Sequence, residues 1–191
     1  MSSGKLTILP NEPAADRIYL ETLHKNAPVR LGLLHNPRAG QTRRWVARMR
    51  LSRYLPDADR MITTRHESEV PAALRELILK RRVNVIAIHG GDGTIHTVVN
   101  ALWNLVEELE LTKKGNAELP SILFLSGGTM NMTARAVGMR GGVNKVLNQF
   151  LQEKEGKPYG SLNTQPVGVL RVEGVKRVRR GLIFGSELVH N

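Results

Sequence analysis

Gly90-Gly91-Asp92-Gly93-Thr94 is the segment of this sequence whose residue types and order best fit a chemical task. Glycines strip side chains from a loop, so backbone N–H groups can approach phosphate oxygens, and a helix starting near Thr94 adds the positive end of its dipole. The Thr94 hydroxyl can donate to the same anion. Asp92 is a carboxylate inside an anion site and repels phosphate unless a cation lies between them. That makes Mg²⁺ the economical partner, with Asp92 as its ligand and as the one candidate catalytic acid group of the loop. The competing reading is a tight strand-to-helix turn in which Asp92 caps a helix. The segment is not a Walker A sequence, because no Gly-Lys-Ser/Thr follows, and it is not the dinucleotide fingerprint.

Such a loop works only where strands and helices hold it. Val83 to His89 is a nearly unbroken apolar run of strand length, as a central strand covered on both faces requires. Behind the loop, Ile95, Val98, Val99, Leu102, Leu105, Val106 and Leu109 mark an amphipathic helix, which the polar stretch Thr112 to Glu118 closes. Val29 to His35 predicts a first strand broken by Asn36-Pro37-Arg38-Ala39-Gly40, then a less regular helix from Gln41 to Leu55 and a short strand over Asp59 to Thr64. Val70, Ala73, Leu74, Leu77 and Ile78 recur at helical spacing and end in Lys80-Arg81-Arg82, which suits the negative end of a helix dipole. Ser121 to Leu125 predicts a further buried strand, followed by Gly127-Gly128 and a helix from about Asn131. Strands that lead into crossover helices end on one edge of a parallel sheet, so these glycine loops should meet there.

After Gly156 the pattern changes. Val167 to Val172 and Val178 to Phe184 read as two strands joined across Glu173-Gly174, a hairpin that opens a second, β-rich unit. An isolated hairpin is marginal in water, so it must pack on the first domain, pair with another copy as a homodimer, or stay partly disordered. The expected division is an N-terminal extension over 1–28, an α/β domain over 29–155 and the start of the second unit over 156–191. No repeat or low-complexity segment is present.

The chain has no cysteine, which removes disulfide scaffolds and thiolate sites and fits a reducing, cytoplasmic compartment. No apolar run has the length of a signal peptide or a bilayer span. With a net charge of +11 the natural partners are anions. Arg38 to Arg65 carries eight arginines against Asp57 and Asp59, and the stretch from Ser126 onward carries ten basic against four acidic residues. Both runs can face anionic lipid, which predicts a peripheral membrane association. With Trp45 and Tyr54 among the arginines, nucleic acid is an alternative anion, but three phosphate loops in order fit a small nucleotide better.

Gly90-Gly91-Asp92-Gly93-Thr94-Ile95-His96-Thr97-Val98-Val99-Asn100 resembles the signature of the diacylglycerol kinase catalytic domain, a family that includes sphingosine, ceramide and bacterial lipid kinases. Asn36-Pro37-Arg38-Ala39-Gly40 resembles the first loop of that family, and Gly127-Gly128-Thr129-Met130-Asn131 with Ala134-Arg135-Ala136-Val137-Gly138 resembles its Gly-Thr-x-Asn loop. The resemblance implies a three-layer α/β/α domain with a mostly parallel sheet, like that of the NAD kinases, which binds ATP and Mg²⁺ and passes a phosphoryl group to a lipid hydroxyl. It places nucleotide contacts at Asn36, Gly40 and Thr64, at Gly90, Gly91, Asp92, Gly93, Thr94, Ile95 and His96, and at Gly128, Thr129 and Asn131. His96-Thr97 and Met132 depart from the acids and amides usual in the family. The general base has no assignment, and Glu187 is a remnant candidate. The alternatives are a non-catalytic nucleotide-binding or membrane-surface module, and a NAD kinase-like enzyme with a soluble acceptor.

Overall fold

The computed structural model describes residues 26–40, 60–108, 119–173 and 178–182. The helix expected over Gln41 to Leu55, most of the extension over 1–28, and Glu187 lie outside these residues.

Four strands form one parallel sheet: β1 (Leu31–His35), β2 (Met61–Thr63), β3 (Val85–Gly90) and β4 (Ser121–Ser126), in the order β2-β1-β3-β4. Both faces are covered, so the strands read as apolar runs whose alternate residues serve different cores. Leu34, Ile86, Ile88 and Phe124 point to one face, and Leu31, Leu33, Val85, Ala87, Leu123 and Leu125 to the other. The first face meets helix α1 (Val70–Arg75) and helix α2 (Asp92–Glu108). The second meets Val143, Val146 and Leu147 of helix α4 (Val143–Lys154). The short helix α3 (Met132–Ala136) links β4 to α4. The result is the three-layer α/β/α arrangement expected.

Two local differences have physical causes. β3 starts at Val85 rather than Val83, because the Val83 N–H donates to the Leu77 carbonyl at 3.0 Å and belongs to the end of the preceding helix. Asn84, fully buried, then stands in for a strand neighbour: its Oδ1 accepts the Arg30 N–H at 2.7 Å and its Nδ2 donates to the Pro28 carbonyl at 3.0 Å. In addition, α1 continues as a π-helical turn over Glu76–Lys80, where the wider winding rotates the inner face. Leu79 is therefore buried, while Ile78, expected on the stripe, is only partly buried.

Strands β5 (Leu170–Glu173) and β6 (Val178–Gly181) pair antiparallel, as the hairpin pattern requires. Val169 and Leu182 pack against the core that contains α2. Of the three fates open to an isolated hairpin, packing on the first domain is the one observed.

Candidate functional site

The loops after β1, β2 and β3 meet at the carboxyl edge of the sheet around a cleft of about 420 Å³. Asn36, Gly40, Thr64, Gly91, Gly93 and Thr94 all line it. Asn36 is the hub of the first loop. Its backbone N–H donates to the His89 carbonyl at 2.9 Å, its Oδ1 accepts the Arg38 N–H at 2.9 Å, and its Nδ2 donates to Thr94 Oγ1 at 2.9 Å. That last bond ties the first loop to the start of α2. Thr64 is buried, and its N–H donates to the His35 carbonyl at 2.8 Å, so the end of β2 is held against the end of β1.

The glycines divide by what surrounds them. A Cβ on Gly90 would lie 2.5 Å from Thr94 Cβ, and one on Gly128 would lie 2.6 Å from Gly91 Cα. Gly90 and Gly128 are thus glycines for contacts within the protein, the second so that two loops can pack backbone to backbone. Gly93 has no atom within 4 Å of its Cβ position, and it lines the cleft at the first turn of α2. At this position of the cleft wall open space lies where a side chain would stand.

Asp92 is engaged otherwise than a free metal ligand would be. Oδ1 accepts the Thr133 N–H at 2.9 Å and Oδ2 the Met132 N–H at 3.1 Å, so the carboxylate caps α3 and ties the central loop to the third one. It does not line the cleft. Burial works to raise its pKa, but the hydrogen bonds from the Thr133 backbone and side chain and from Met132 outweigh it and hold the group below the ordinary carboxyl range. The helix that Asp92 caps is thus a distant one, not the helix at its own strand-to-helix turn. Among the described residues no cluster of three His, Asp or Glu side chains with metal-site geometry occurs.

Other expected contacts also serve the protein itself. Asn131 adopts a left-handed conformation (φ 50°), with Oδ1 accepting the Gly128 N–H and Nδ2 donating to the Gly128 carbonyl, both at 2.8 Å, which locks the third loop. Thr129 is exposed at the tip of that loop, facing Gly40: a Cβ on Gly40 would meet Thr129 Oγ1 at 3.2 Å. The Ile95 side chain is buried in the core, and its N–H donates to the Gly91 carbonyl at 3.1 Å. His96 Nε2 lies 3.3 Å from the side-chain amide of Asn100, away from the cleft wall.

Arg38, Arg65, His66 and Thr97 line the cleft and were not among the nucleotide contacts expected from the sequence. The Arg38 guanidinium donates to the Arg65 carbonyl at 3.3 Å and lies 3.4 Å from His66 Nδ1, spanning the first two loops with cationic groups. Their signal was present: Arg38 stands inside the Asn-Pro-Arg-Ala-Gly loop, and Arg65 and His66 directly follow Thr64. Beneath the cleft, His35 and His89 are register partners on β1 and β3, buried, with Nδ1 atoms 2.8 Å apart and stacked rings. Burial, and secondarily the neighbouring His35, lower the His89 pKa to about 3, and burial lowers that of His35 as well.

This arrangement agrees with a comparison against protein families, in which the model for the diacylglycerol kinase catalytic domain matches residues 30–158. The chain belongs to the diacylglycerol kinase catalytic domain family. The matched residues take in the whole four-stranded sheet and the loops after its strands. Similar solved structures include a diacylglycerol kinase from Bacillus anthracis str. Sterne, at 22% identity and a TM-score of 0.49, covering 65% of this chain and 40% of that one. Two further structures from the same organism, described with less certainty as diacylglycerol kinases, give the same identity and score and are covered over 38% and 39% of their length. The chain thus spans about two fifths of the length of these structures. No curated protein matches it.

Proposed function

We propose that this chain is the nucleotide-binding part of a lipid kinase, which receives Mg·ATP in the cleft and presents its terminal phosphoryl group to a lipid hydroxyl. The observation that carries the reading is the convergence of Asn36, Gly93, Thr94, Arg38 and Arg65 on one cleft at the start of a 17-residue helix. Helix N-terminal N–H groups, a hydroxyl and guanidinium groups are the donors a triphosphate requires. Magnesium would arrive on the nucleotide, held by phosphate oxygens and waters together with one or two protein carboxylates in such sites, and would neutralise charge developing on the phosphates. In this reading Asp92 acts on the nucleotide by holding the third loop against the central one.

The test is calorimetric titration with Mg·ATP of the parent chain and of Gly93→Ala. Gly93 lies within a helix at ordinary backbone angles, so alanine there stabilises the fold by up to about 1 kcal/mol. Its methyl group enters the open cleft and is expected to weaken ATP binding about tenfold or more, equivalent to about 1.4 kcal/mol. Unchanged affinity in a folded Gly93→Ala protein would place the nucleotide elsewhere. Radiolabelled ATP offered with diacylglycerol, a sphingoid base, NAD or no acceptor then separates lipid kinase from soluble-acceptor and non-catalytic readings.

A further inference from the structure

Helix α2 carries a second stripe, away from its core face. Asp92, His96, Asn100 and Asn104 recur every four residues, with Trp103 and Glu107 beside them, and so share one side of the helix. Asp92 holds α3, as described above. Asn100 holds β6: its Oδ1 accepts the Arg180 backbone N–H at 2.8 Å, and its Nδ2 donates to the Arg180 carbonyl. A carboxamide offers the same donor and acceptor as a peptide group, so Asn100 serves Arg180 as a neighbouring strand would and covers that point of the hairpin's edge.

The Arg180 side chain completes the joint. It is 5% exposed, forms an ion pair with Glu107, approaches Asn104 Oδ1 at 3.5 Å, and lies 5.9 Å over the Trp103 ring. One helix thus begins at the phosphate loop and, two turns on, grips the hairpin that opens the second unit. None of Asn100, Trp103, Asn104 or Arg180 lines the nucleotide cleft.

We propose that Asn100 is a positioning residue that fixes the β5–β6 unit on the phosphate-loop helix, and so governs the acceptor side of the reaction without touching the nucleotide. The acceptor part rests on the phosphoryl-transfer reading above; the joint itself does not. In-line transfer makes such positioning consequential, since a misplacement of about 1 Å can reduce the rate about a hundredfold.

The experiment combines amide hydrogen exchange, Mg·ATP titration and steady-state kinetics with diacylglycerol in mixed micelles, on the parent, Asn100→Ala, Asn100→Asp and Arg180→Gln. In Asn100→Ala, exchange at the Arg180 amide should rise about tenfold or more while ATP affinity stays within about twofold. Asn100→Asp keeps the acceptor for that N–H and should restore most of its protection. Arg180→Gln keeps both backbone bonds and should lie between parent and Asn100→Ala. With diacylglycerol, Asn100→Ala should raise the lipid KM and leave the ATP KM near the parental value, a split that loss of folded protein would not produce. Unchanged exchange at Arg180 overturns the joint. ATP affinity that falls in step with exchange, or a lipid KM that stays fixed, overturns the positioning role. A parent chain that binds no Mg·ATP removes the proposed function, and the exchange measurements still decide whether Asn100 fixes the hairpin.

Discussion

His35 and His89 are the last side chains before two of the cleft loops, and both are buried as neutral imidazoles. With the two Nδ1 atoms 2.8 Å apart, one ring donates and the other accepts, so the folded pair resists a further proton. The sign of the pH effect follows from the lowered values. An unfolded histidine takes up a proton near its ordinary value of 6.5, whereas folded His89 does so only near 3. Stability from this pair is therefore fully present above pH 6.5 and drains away as the pH falls toward 3. His89 alone should withdraw about 3 kcal/mol by about pH 4, at roughly 1.4 kcal/mol per pH unit. Urea denaturation across this range should show the decline in the parent and a much flatter curve in the double variant His35→Leu, His89→Leu. An equally steep curve in the variant would assign the acid sensitivity to carboxylates instead. Neither histidine stood out in the sequence, because a histidine in an apolar run shows no partner there; the pairing exists only through the register of β1 on β3.

Elements show the same contrast between local and distant information. Strands β1, β3 and β4 and helix α2 were legible because each carries its own period: apolar runs where both faces are covered, a stripe at 3.6 residues where one face is. The π-turn in α1 was not, since it changes which of Ile78 and Leu79 faces inward without changing the composition. The site residues divide in this way too. Asn36, Gly93 and Thr94, expected from loop chemistry to contact a ligand, all line the cleft. Asp92 and Asn131 carry the same chemistry, but the structure directs it to backbone N–H and C=O groups of the loops themselves, and in the case of Asp92 to amides some forty positions later in the chain. This has a measurable consequence. Asp92→Asn leaves one oxygen and one NH₂ where two N–H groups of α3 need acceptors; because one of these bonds is exposed and the other part-buried, the loss lies at the low end of the about 1–3 kcal/mol that a buried donor without an acceptor costs. The third loop should loosen, and ATP affinity should fall by a similar factor with and without Mg²⁺. A loss confined to Mg²⁺-containing buffer would return Asp92 to the role of metal ligand that its residue type first indicates.

At the scale of the whole molecule, the charge excess of +11 could be counted in the sequence but not located on the surface. Around the cleft it resides in exposed Arg38 and Arg65, and beyond the third loop in exposed Arg135, Arg140 and Lys145, with no acidic residue between Glu118 and Glu153. Other cations are offset in place: Arg75 pairs with Glu108, while Lys80 and Arg81 share the single carboxylate of Glu76. Among the described residues no helix is long and apolar enough to cross a membrane. The exposed basic surface is the candidate for contact with a bilayer. Each unpaired cation near an anionic bilayer contributes about 1 kcal/mol, and the attraction decays over about 8 Å at physiological salt and about 3 Å at 1 M. The chain should therefore sediment with vesicles containing phosphatidylserine, release steeply as salt rises, and bind neutral phosphatidylcholine vesicles far less. Neutralising Arg135, Arg140 and Lys145 together to Gln should weaken the anionic-vesicle affinity about a hundredfold, by summing three such contributions. Neutralising Arg75, whose charge Glu108 offsets one for one, should change it little. If both variants bind like the parent, or if binding ignores salt and lipid charge alike, the association is driven by apolar insertion and the basic surface beyond the third loop has no part in it.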